Sequence, residues 1–559
     1  MSACTRGPSW RAVMNDEKGR VAPKGGRCWP FLLVTGLYLV LAGWIDWLVW
    51  NTLNPDGVAY MQIARHYAHG RFDLAVTSYW GPLLSWILVP SVWLHLAPSD
   101  VFRVLEVLLG IGFAAGAASL LRALGGRRLL LTYAAALMLA LTMLEPITPD
   151  LLLACCVTWY LSGAVRLIDG GSPRAAFRCG LLGGLAYLAK PYALPFCVAH
   201  LGLTFLLRWR ARRAQRPQLT MLKPLLAAVA GLALLALPWI AVISAHDGAL
   251  TVSSSGRLAD DFLRHMPPNA LLPGFLLTAP RPGRLTIWEN PVEMGGWDGK
   301  TPPERLGWAQ RLASSARVAI TLNNMQQALR LLQGLDALGI VFPSFLLLPV
   351  LYAGFRPRLP ARLRWLAVWC LFSVVMYLGG YCLIYIEQRY SWPIWPLLLA
   401  TAVYALEIVV SRASNPLAAA EPTGPGVERE RARLGRVVAA VLIFSVAASA
   451  ALAARRLQHS SYPKLAANLR EWGARLDLHH GVVSNNWSVG LYTSFWAGAT
   501  FHGQFQGRSA EDVAAEIAPF GSPTVLLFRD ESLSRILAES GQFRKINADR
   551  NLSAFEMVE

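Results

Sequence analysis

Five charged residues stand where an apolar chain has little structural use for them. Asp56 lies in NPDGVAYMQIARHYAHG (54–70), just after the apolar run WPFLLVTGLYLVLAGWIDWLVW (29–50). Asp150 opens one apolar stretch, Lys190 interrupts another, and Glu387 and Arg389 share the segment EQRYSWPIWP (387–396). A carboxylate at the edge of a low-dielectric region can take a proton from a hydroxyl or an amine. Fixed ammonium and guanidinium groups can stabilise the charge that builds on a departing phosphate. A lysine at mid-membrane costs ~2.5–3.5 kcal/mol on insertion scales, so Lys190 needs a partner or a wet cavity. Structural roles stand beside these. Asp56 can cap a helix, Lys190–Asp150 and Arg389–Glu387 can be plain ion pairs, and Lys190 can snorkel to the surface. Capping and proton abstraction by Asp56 are compatible. Arg103 is a further cation, read here as a cytoplasmic anchor, and Asp46 a further acid, read as part of a Trp-rich interfacial belt.

The elements around these groups follow from periodicity. A helix starting at Gly57 puts Tyr60, Met61, Ala64, Tyr67 and Ala68 on one side and Gln62, Arg65, His66 and His69 largely on the other. Such a helix can lie in the membrane interface, apolar side on lipid, with Gly70 as its stop. Tyr60, His66 and Tyr79 are the side chains expected to line a pocket beside Asp56.

The chain has 559 residues, 54% hydrophobic and only 15% charged, with several apolar stretches long enough to cross a ~30 Å hydrocarbon core. The formal charge of +18 is spread over short clusters between those stretches, such as RWRARR (208–213) and RPRLPARLR (356–364). Clusters so placed read as cytoplasmic loops, and no nucleic-acid partner is expected. The eight cysteines fall in the tail or in apolar runs and imply neither a disulfide framework nor a zinc site.

Spans are expected at 31–50, 82–97, 101–121, 129–144, 151–168, 177–207, 222–245, 331–353, 365–385, 391–410 and 436–455. A basic N-terminus held inside places loops 51–81 and 246–330 and the tail 456–559 outside. Two features resist. Arg122, Arg127 and Arg128 would lie outside, and 177–207 is overlong and broken at Lys190-Pro191. Making 101–121 a tilted or re-entrant hairpin and dividing 177–207 keeps the total and moves Asp150 and Lys190 to the outer face. Both arrangements stay open. The expected domains are a cytoplasmic tail (1–30), a membrane domain (31–455) and an external α/β unit (456–559). In that unit a helix at 462–476 precedes a strand at 481–484, and a strand at 524–528 precedes a helix at 530–540. The fold class is thus a polytopic α-helical membrane protein of about eleven spans with a small extramembrane α/β domain.

An acid after the first span, Tyr and Ala on a short helix, then Gly, then an aromatic-Pro-Leu start to the next run (YWGPLLSW, 79–86) resembles the GT-C superfamily of integral-membrane glycosyltransferases. The likeness is to the branch of protein O-mannosyltransferases and lipid A aminoarabinose transferase. VFRVLEVLLG (101–110), TPDLLLACCVTWYL (148–161), GGLAYLAKPYALP (183–195) and EQRYSWPIWP (387–396) extend it, in order, over residues 30–410. The resemblance implies a polyprenyl-phosphate sugar donor, an external active site and an acid of the first external loop as base, which is Asp56 here. Two positions depart from it. The adjacent acidic pair common in O-mannosyltransferases is Asp56-Gly57, and the charged residues before the proline of the second span in the aminoarabinose enzyme are Tyr79-Trp80. Either the acceptor side differs from the family's, or a second acid comes from elsewhere, such as Asp73, Asp150 or Glu387.

The resulting expectation is a glycosyltransferase of a bacterial inner membrane, its site and C-terminal domain facing the periplasm. Asp56 would be its base, with Lys190 and Arg389 on the phosphate and Asp150 and Glu387 beside them. The acceptor is a lipid, glycan or protein, and membrane lipids are standing partners. Trp288 and Trp297 of the long loop could stack on sugar or belong to an aromatic belt. No cofactor is required by the sequence; a divalent metal on loop carboxylates is a possibility, and His479-His480 reads as an exposed turn. The alternatives are a flippase for a lipid-linked sugar and a catalytically degenerate assembly partner.

Overall fold

The computed structural model describes residues 28–256, 321–329, 361–413 and 462–558, apart from 145–146, 169, 213–218, 384–385, 477, 479–480 and 549–550, together with the single positions 351, 451 and 455. Residues 1–27, Trp288, Trp297 and His479-His480 lie outside the described residues, as do the expected spans 331–353 and 436–455 but for single positions.

The first half is a run of helices: α1 (Trp29–Val49), α2 (Pro55–Ala68), α3 (Pro82–Trp93), α4 (Pro98–Leu124), α5 (Leu129–Leu141), α6 (Asp150–Ile168), α7 (Pro173–Ala189), α8 (Ala193–Arg212) and α9 (Leu219–Asp247). Proline stands in the first two positions of α1, α2, α3, α4 and α7, where its missing N–H has no partner to lose and its fixed φ suits the helix. After the long loop come α10 (Ala361–Cys382) and α11 (Trp395–Ala413), the latter entered through a 3₁₀ segment, Gln388–Ile394. Among the described residues six helices are long and apolar enough to cross a membrane.

Hydrogen bonds fix which helix ends meet. Arg103, at the start of α4, donates to the carbonyls of Val49 and Thr52 at the end of α1 and of Leu144 after α5. At the other end of the bundle, Glu407 of α11 accepts from the backbone N–H groups of Arg127 and Arg128 between α4 and α5. Arg208 of α8 there donates to the carbonyl of Leu167 at the end of α6. The ends of α1, α5, α7, α9 and α10 and the starts of α4, α6, α8 and α11 therefore share one face.

Three expectations change on this evidence of packing. The stretch 82–97 is not a span. Its helix has 12 residues, about 18 Å, and lies beside α2: Ser85 Oγ donates to the carbonyl of Tyr60 at 2.8 Å and Trp93 Nε1 to that of Ala68 at 3.1 Å. The chain therefore returns to the face it left, and α4 crosses as one continuous helix instead of a hairpin. Arg122, Arg127 and Arg128 then fall at the far end, so their conflict with the charge rule disappears. Arg103, expected as a cytoplasmic anchor, sits at the Asp56 end and is wholly buried. The division of 177–207 holds: α7 stops at Ala189, and α8 resumes at Ala193 after Lys190-Pro191.

The C-terminal unit carries α12 (Tyr462–Arg475), β1 (Val482–Ser484), α13 (Trp487–Ala497), β2 (Phe501–Gln504), α14 (Ala510–Ile517), β3 (Thr524–Phe528), α15 (Glu531–Glu539), β4 (Phe543–Ala548) and β5 (Leu552–Met557). The sheet order is β2-β1-β3-β5-β4, the first three strands parallel and the last two an antiparallel hairpin added at β3. This unit sits on the Asp56 end of the bundle. Arg470 of α12 reaches Asn51 Oδ1 at 2.9 Å and Asp100 at 3.4 Å, and the Arg65 guanidinium lies 4.7 Å above the Phe495 ring. Helix α2 is consequently enclosed, with Val58, Ala59, Tyr60, Met61, Ile63, Ala64 and His66 all buried, and does not float with one side on lipid.

Candidate active site

Asp56 owes its position to its neighbours. Asn54, in extended conformation, caps α2 by accepting the Asp56 N–H on its side chain at 2.9 Å, and Pro55 follows. The helix thus begins two residues before Gly57, and Asn54 takes the capping role considered for Asp56. The Asp56 carboxylate is left to reach outward, where Oδ2 meets Arg389 Nη1 at 2.7 Å.

Two glycines bring the other segments in. A Cβ on Gly57 would fall 2.5 Å from the Ile147 carbonyl oxygen, so α2 touches the backbone three residues ahead of Asp150. This explains why no second acid stands beside Asp56: a side chain at 57 has no room. A Cβ on Gly81 would meet the carbonyl oxygens of Leu188 and Ala189 at 2.5 Å, which presses the Tyr79-Trp80 segment onto the end of α7 next to Lys190. Both obstacles are backbone and cannot rotate away. Gly81→Ala is expected to destabilise the fold by about 1–3 kcal/mol through overpacking, read as a lower thermal transition in detergent.

The five charged residues converge. Lys190 Nζ donates to Asp150 Oδ1 at 2.7 Å, and Arg389 contacts Glu387 through Nε at 2.5 Å and Asp150 through Nη1 at 3.6 Å, besides Asp56. Side-chain exposure divides their tasks: Asp150 is 1% exposed, against 14% for Arg389, 20% for Lys190, 24% for Asp56 and 30% for Glu387. Asp150 is the buried anchor that holds both cations, and the other four open to the surface. The plain ion pairs Lys190–Asp150 and Arg389–Glu387 both exist; the Arg389–Asp150 contact joins them, and the Arg389–Asp56 contact adds Asp56 to the network.

Tyr390 is the member that sequence reasoning passed over. Lys190 Nζ lies 3.8 Å and the Arg389 guanidinium 5.4 Å from its ring centroid, while its other stacking partner, Tyr381, is at 4.7 Å. Its ring platforms both cations. The available signal was its place beside Arg389 in EQRY.

Tyr79 and Tyr60 flank the acids through Trp80, whose ring meets theirs edge-on at 4.6 and 5.1 Å. Burial pushes the Tyr79 phenol up to about 12, and the Asp56 charge adds to it. The Tyr60 phenol is driven well above its usual range by the same two causes, burial first. Both therefore stay protonated at neutral pH and can donate hydrogen bonds. His66 is placed elsewhere. It is buried in the last turn of α2, ten residues beyond Asp56 and about 15 Å along the helix. Asp73 is exposed on the short turn Phe72–Ala75; Asp150 and Glu387 are the acids that share Arg389 with Asp56. Among the described residues no three His, Cys, Asp or Glu side chains form a metal-holding group.

The fold has solved counterparts. ArnT from Cupriavidus metallidurans bound to undecaprenyl phosphate superposes with a TM-score of 0.54 at 14% identity, covering 95% of this chain and 99% of that one. The archaeal oligosaccharyltransferase AglB from Archaeoglobus fulgidus, in complex with an inhibitory peptide and a dolichol-phosphate, gives 0.50 at 11% identity over 94% of this chain and 74% of that one. The arabinofuranosyltransferase AftD from Mycobacteria gives 0.50 at 15% identity over 96% of this chain and 40% of that one. No protein-family model and no curated protein matches the sequence. The chain has the GT-C fold, as the sequence resemblance implied.

Proposed function

We propose that this chain is a membrane glycosyltransferase that moves a sugar from a polyprenyl-phosphate donor to an acceptor outside the cytoplasm. The observation that carries this reading is the convergence of Asp56, Asp150, Lys190, Glu387 and Arg389, from four separate segments, at one end of a GT-C bundle. The acceptor oxygen or nitrogen attacks the anomeric carbon. The bond from that carbon to the phosphate oxygen breaks, its electron pair leaving on the phosphate, and the acceptor proton passes to Asp56. Attack opposite the leaving group inverts the sugar. Lys190 and Arg389 receive the charge on the phosphate, and Tyr60 and Tyr79 border the sugar and acceptor. Asp150 holds the two cations at a fixed depth. Glu387 is the second solvent-reaching carboxylate.

Charge supports the orientation. Arg122, Arg127, Arg128 and Arg208 gather at the end opposite Asp56, which the positive-inside rule assigns to the cytoplasm. In a bacterial inner membrane the site and the C-terminal unit then face the periplasm, where an acceptor lipid, glycan or protein is met.

Native mass spectrometry of gently purified protein tests the donor class. A polyprenyl-phosphate or its sugar ester is expected on the wild type and is expected to be lost from Lys190→Ala and Arg389→Ala. Ordinary phospholipid alone on all three, in protein loaded with undecaprenyl phosphate, would remove the donor reading.

A further inference from the structure

In this structure the proposed base and the proposed phosphate ligand hold each other. Arg389 Nη1 lies 2.7 Å from Asp56 Oδ2, the shortest of its contacts with Asp56 and Asp150. Nη1 makes no hydrogen bond there, but the guanidinium charge is paired with Oδ2 and its bulk stands between that oxygen and an incoming acceptor. The same nitrogen is one that a donor phosphate would seek, since the planar fork of arginine matches phosphate oxygens as well as carboxylates. Phosphate and Asp56 thus compete for one donor group.

The surroundings set how that competition resolves. Asp150 stands behind the guanidinium, almost wholly buried, and Glu387 holds Nε, so Arg389 is retained in the site whichever anion occupies Nη1. The Tyr390 ring lies beneath it and beneath Lys190, whose Nζ belongs to Asp150 and not to Asp56. An arriving phosphate would find two cations already aimed, one of them shared with an exposed carboxylate. Only the Asp56–Arg389 contact has to open.

We infer that Asp56 is kept inactive by Arg389 until the donor phosphate takes over Nη1, so that donor binding precedes and switches on the base. This rests on the donor reading above and adds an order to it. With the donor absent, the guanidinium stands against Oδ2 and keeps an incoming acceptor from that oxygen. With the donor in place, the released carboxylate lies beside the sugar whose anomeric carbon is to be attacked.

The signature is an affinity that rises when the base is removed. Binding of undecaprenyl phosphate to the full-length protein in lipid nanodiscs is measured for the wild type, Asp56→Asn, Asp56→Glu and Lys190→Ala. Asp56→Asn is expected to bind about tenfold tighter than wild type, which corresponds to about 1.4 kcal/mol of relieved competition. Asp56→Glu keeps the competing charge and should stay near wild type. Asp56→Ser replaces the Asn variant if the latter fails to fold. Equal or weaker binding by the charge-removing variant overturns the switch while leaving the donor site standing. Binding that is unaffected by Lys190→Ala, or absent from wild type and variants alike, overturns the donor reading and the switch with it.

Discussion

Asp56→Asn should slow sugar transfer by about 10²–10⁴-fold, the range over which a positioned general base acts, while the protein remains folded and loaded with donor. The asparagine keeps the shape of the side chain, and helix α2 keeps its start because Asn54, not Asp56, supplies the cap. What is lost is the group that can accept the acceptor's proton. The measurement is turnover of radiolabelled donor in detergent alongside donor retention. Base chemistry predicts a fall in kcat with donor affinity maintained or increased. A residue that merely held the phosphate network together would show the opposite split, weaker donor binding with kcat little changed at saturation. Transfer within about threefold of wild type would remove Asp56 from the base role, general acid–base groups being worth far more than that. Glu387, the other carboxylate that reaches the surface, would then be the next to replace.

The members of the charged cluster were more legible than the path of the chain. Charges in apolar sequence must be paired, so Asp56, Asp150, Lys190, Glu387 and Arg389 could be picked out one by one. Their mutual distances were beyond reading, because they depend on two close backbone approaches, at Gly57 and Gly81, that no periodicity encodes. Helix α3 misled for a physical reason: Pro82–Trp93 is as apolar as a span, and hydropathy does not tell a helix laid across the end of a bundle from one that crosses it. Its 12 residues and the arginines after α4 were the available hints. His66 misled through the opposite assumption, that the polar side of an amphipathic helix must face a cavity. On that side of α2 Arg65 lies over Phe495 of the C-terminal unit and His69 is exposed, while Asp56 meets the charged cluster from the first turn. In the same unit the strands at 482–484 and 524–528 were visible as short apolar runs, while β2, β4 and β5, which mix polar and apolar residues, were not.

Arg103→Ala is expected to destabilise the protein by about 3–5 kcal/mol, the cost of stranding a buried charge by removing its partner. Arg103 is the most heavily bonded side chain of the bundle's outer end among those described. Nη1 donates to Glu106 Oε2 at 3.1 Å and to the Leu144 carbonyl at 2.8 Å; Nη2 donates to the carbonyls of Val49 and Thr52 and to Thr52 Oγ1 at 2.9–3.0 Å. Truncation leaves three carbonyls and a carboxylate without these donors in a region closed to water. Glu106→Gln should cost less, because the amide oxygen can still accept from the guanidinium, whose charge keeps its bonds to three backbone carbonyls. The double variant should lose clearly less than the two single losses added together, since they share one interaction. Unfolding in mixed detergent micelles measures all three; strict additivity would show that Arg103 and Glu106 act separately. The consequence reaches the active site without Arg103 touching substrate. The Val49–Thr52 turn leads directly into Asn54 and Asp56, and Leu144 precedes the Ile147–Asp150 segment against which Gly57 packs. Loosening this pin separates the base from the anchor of the two cations. A variant that still folds at low temperature should therefore transfer sugar more slowly, its Asp56 intact but no longer held where Arg389 and the donor can reach it.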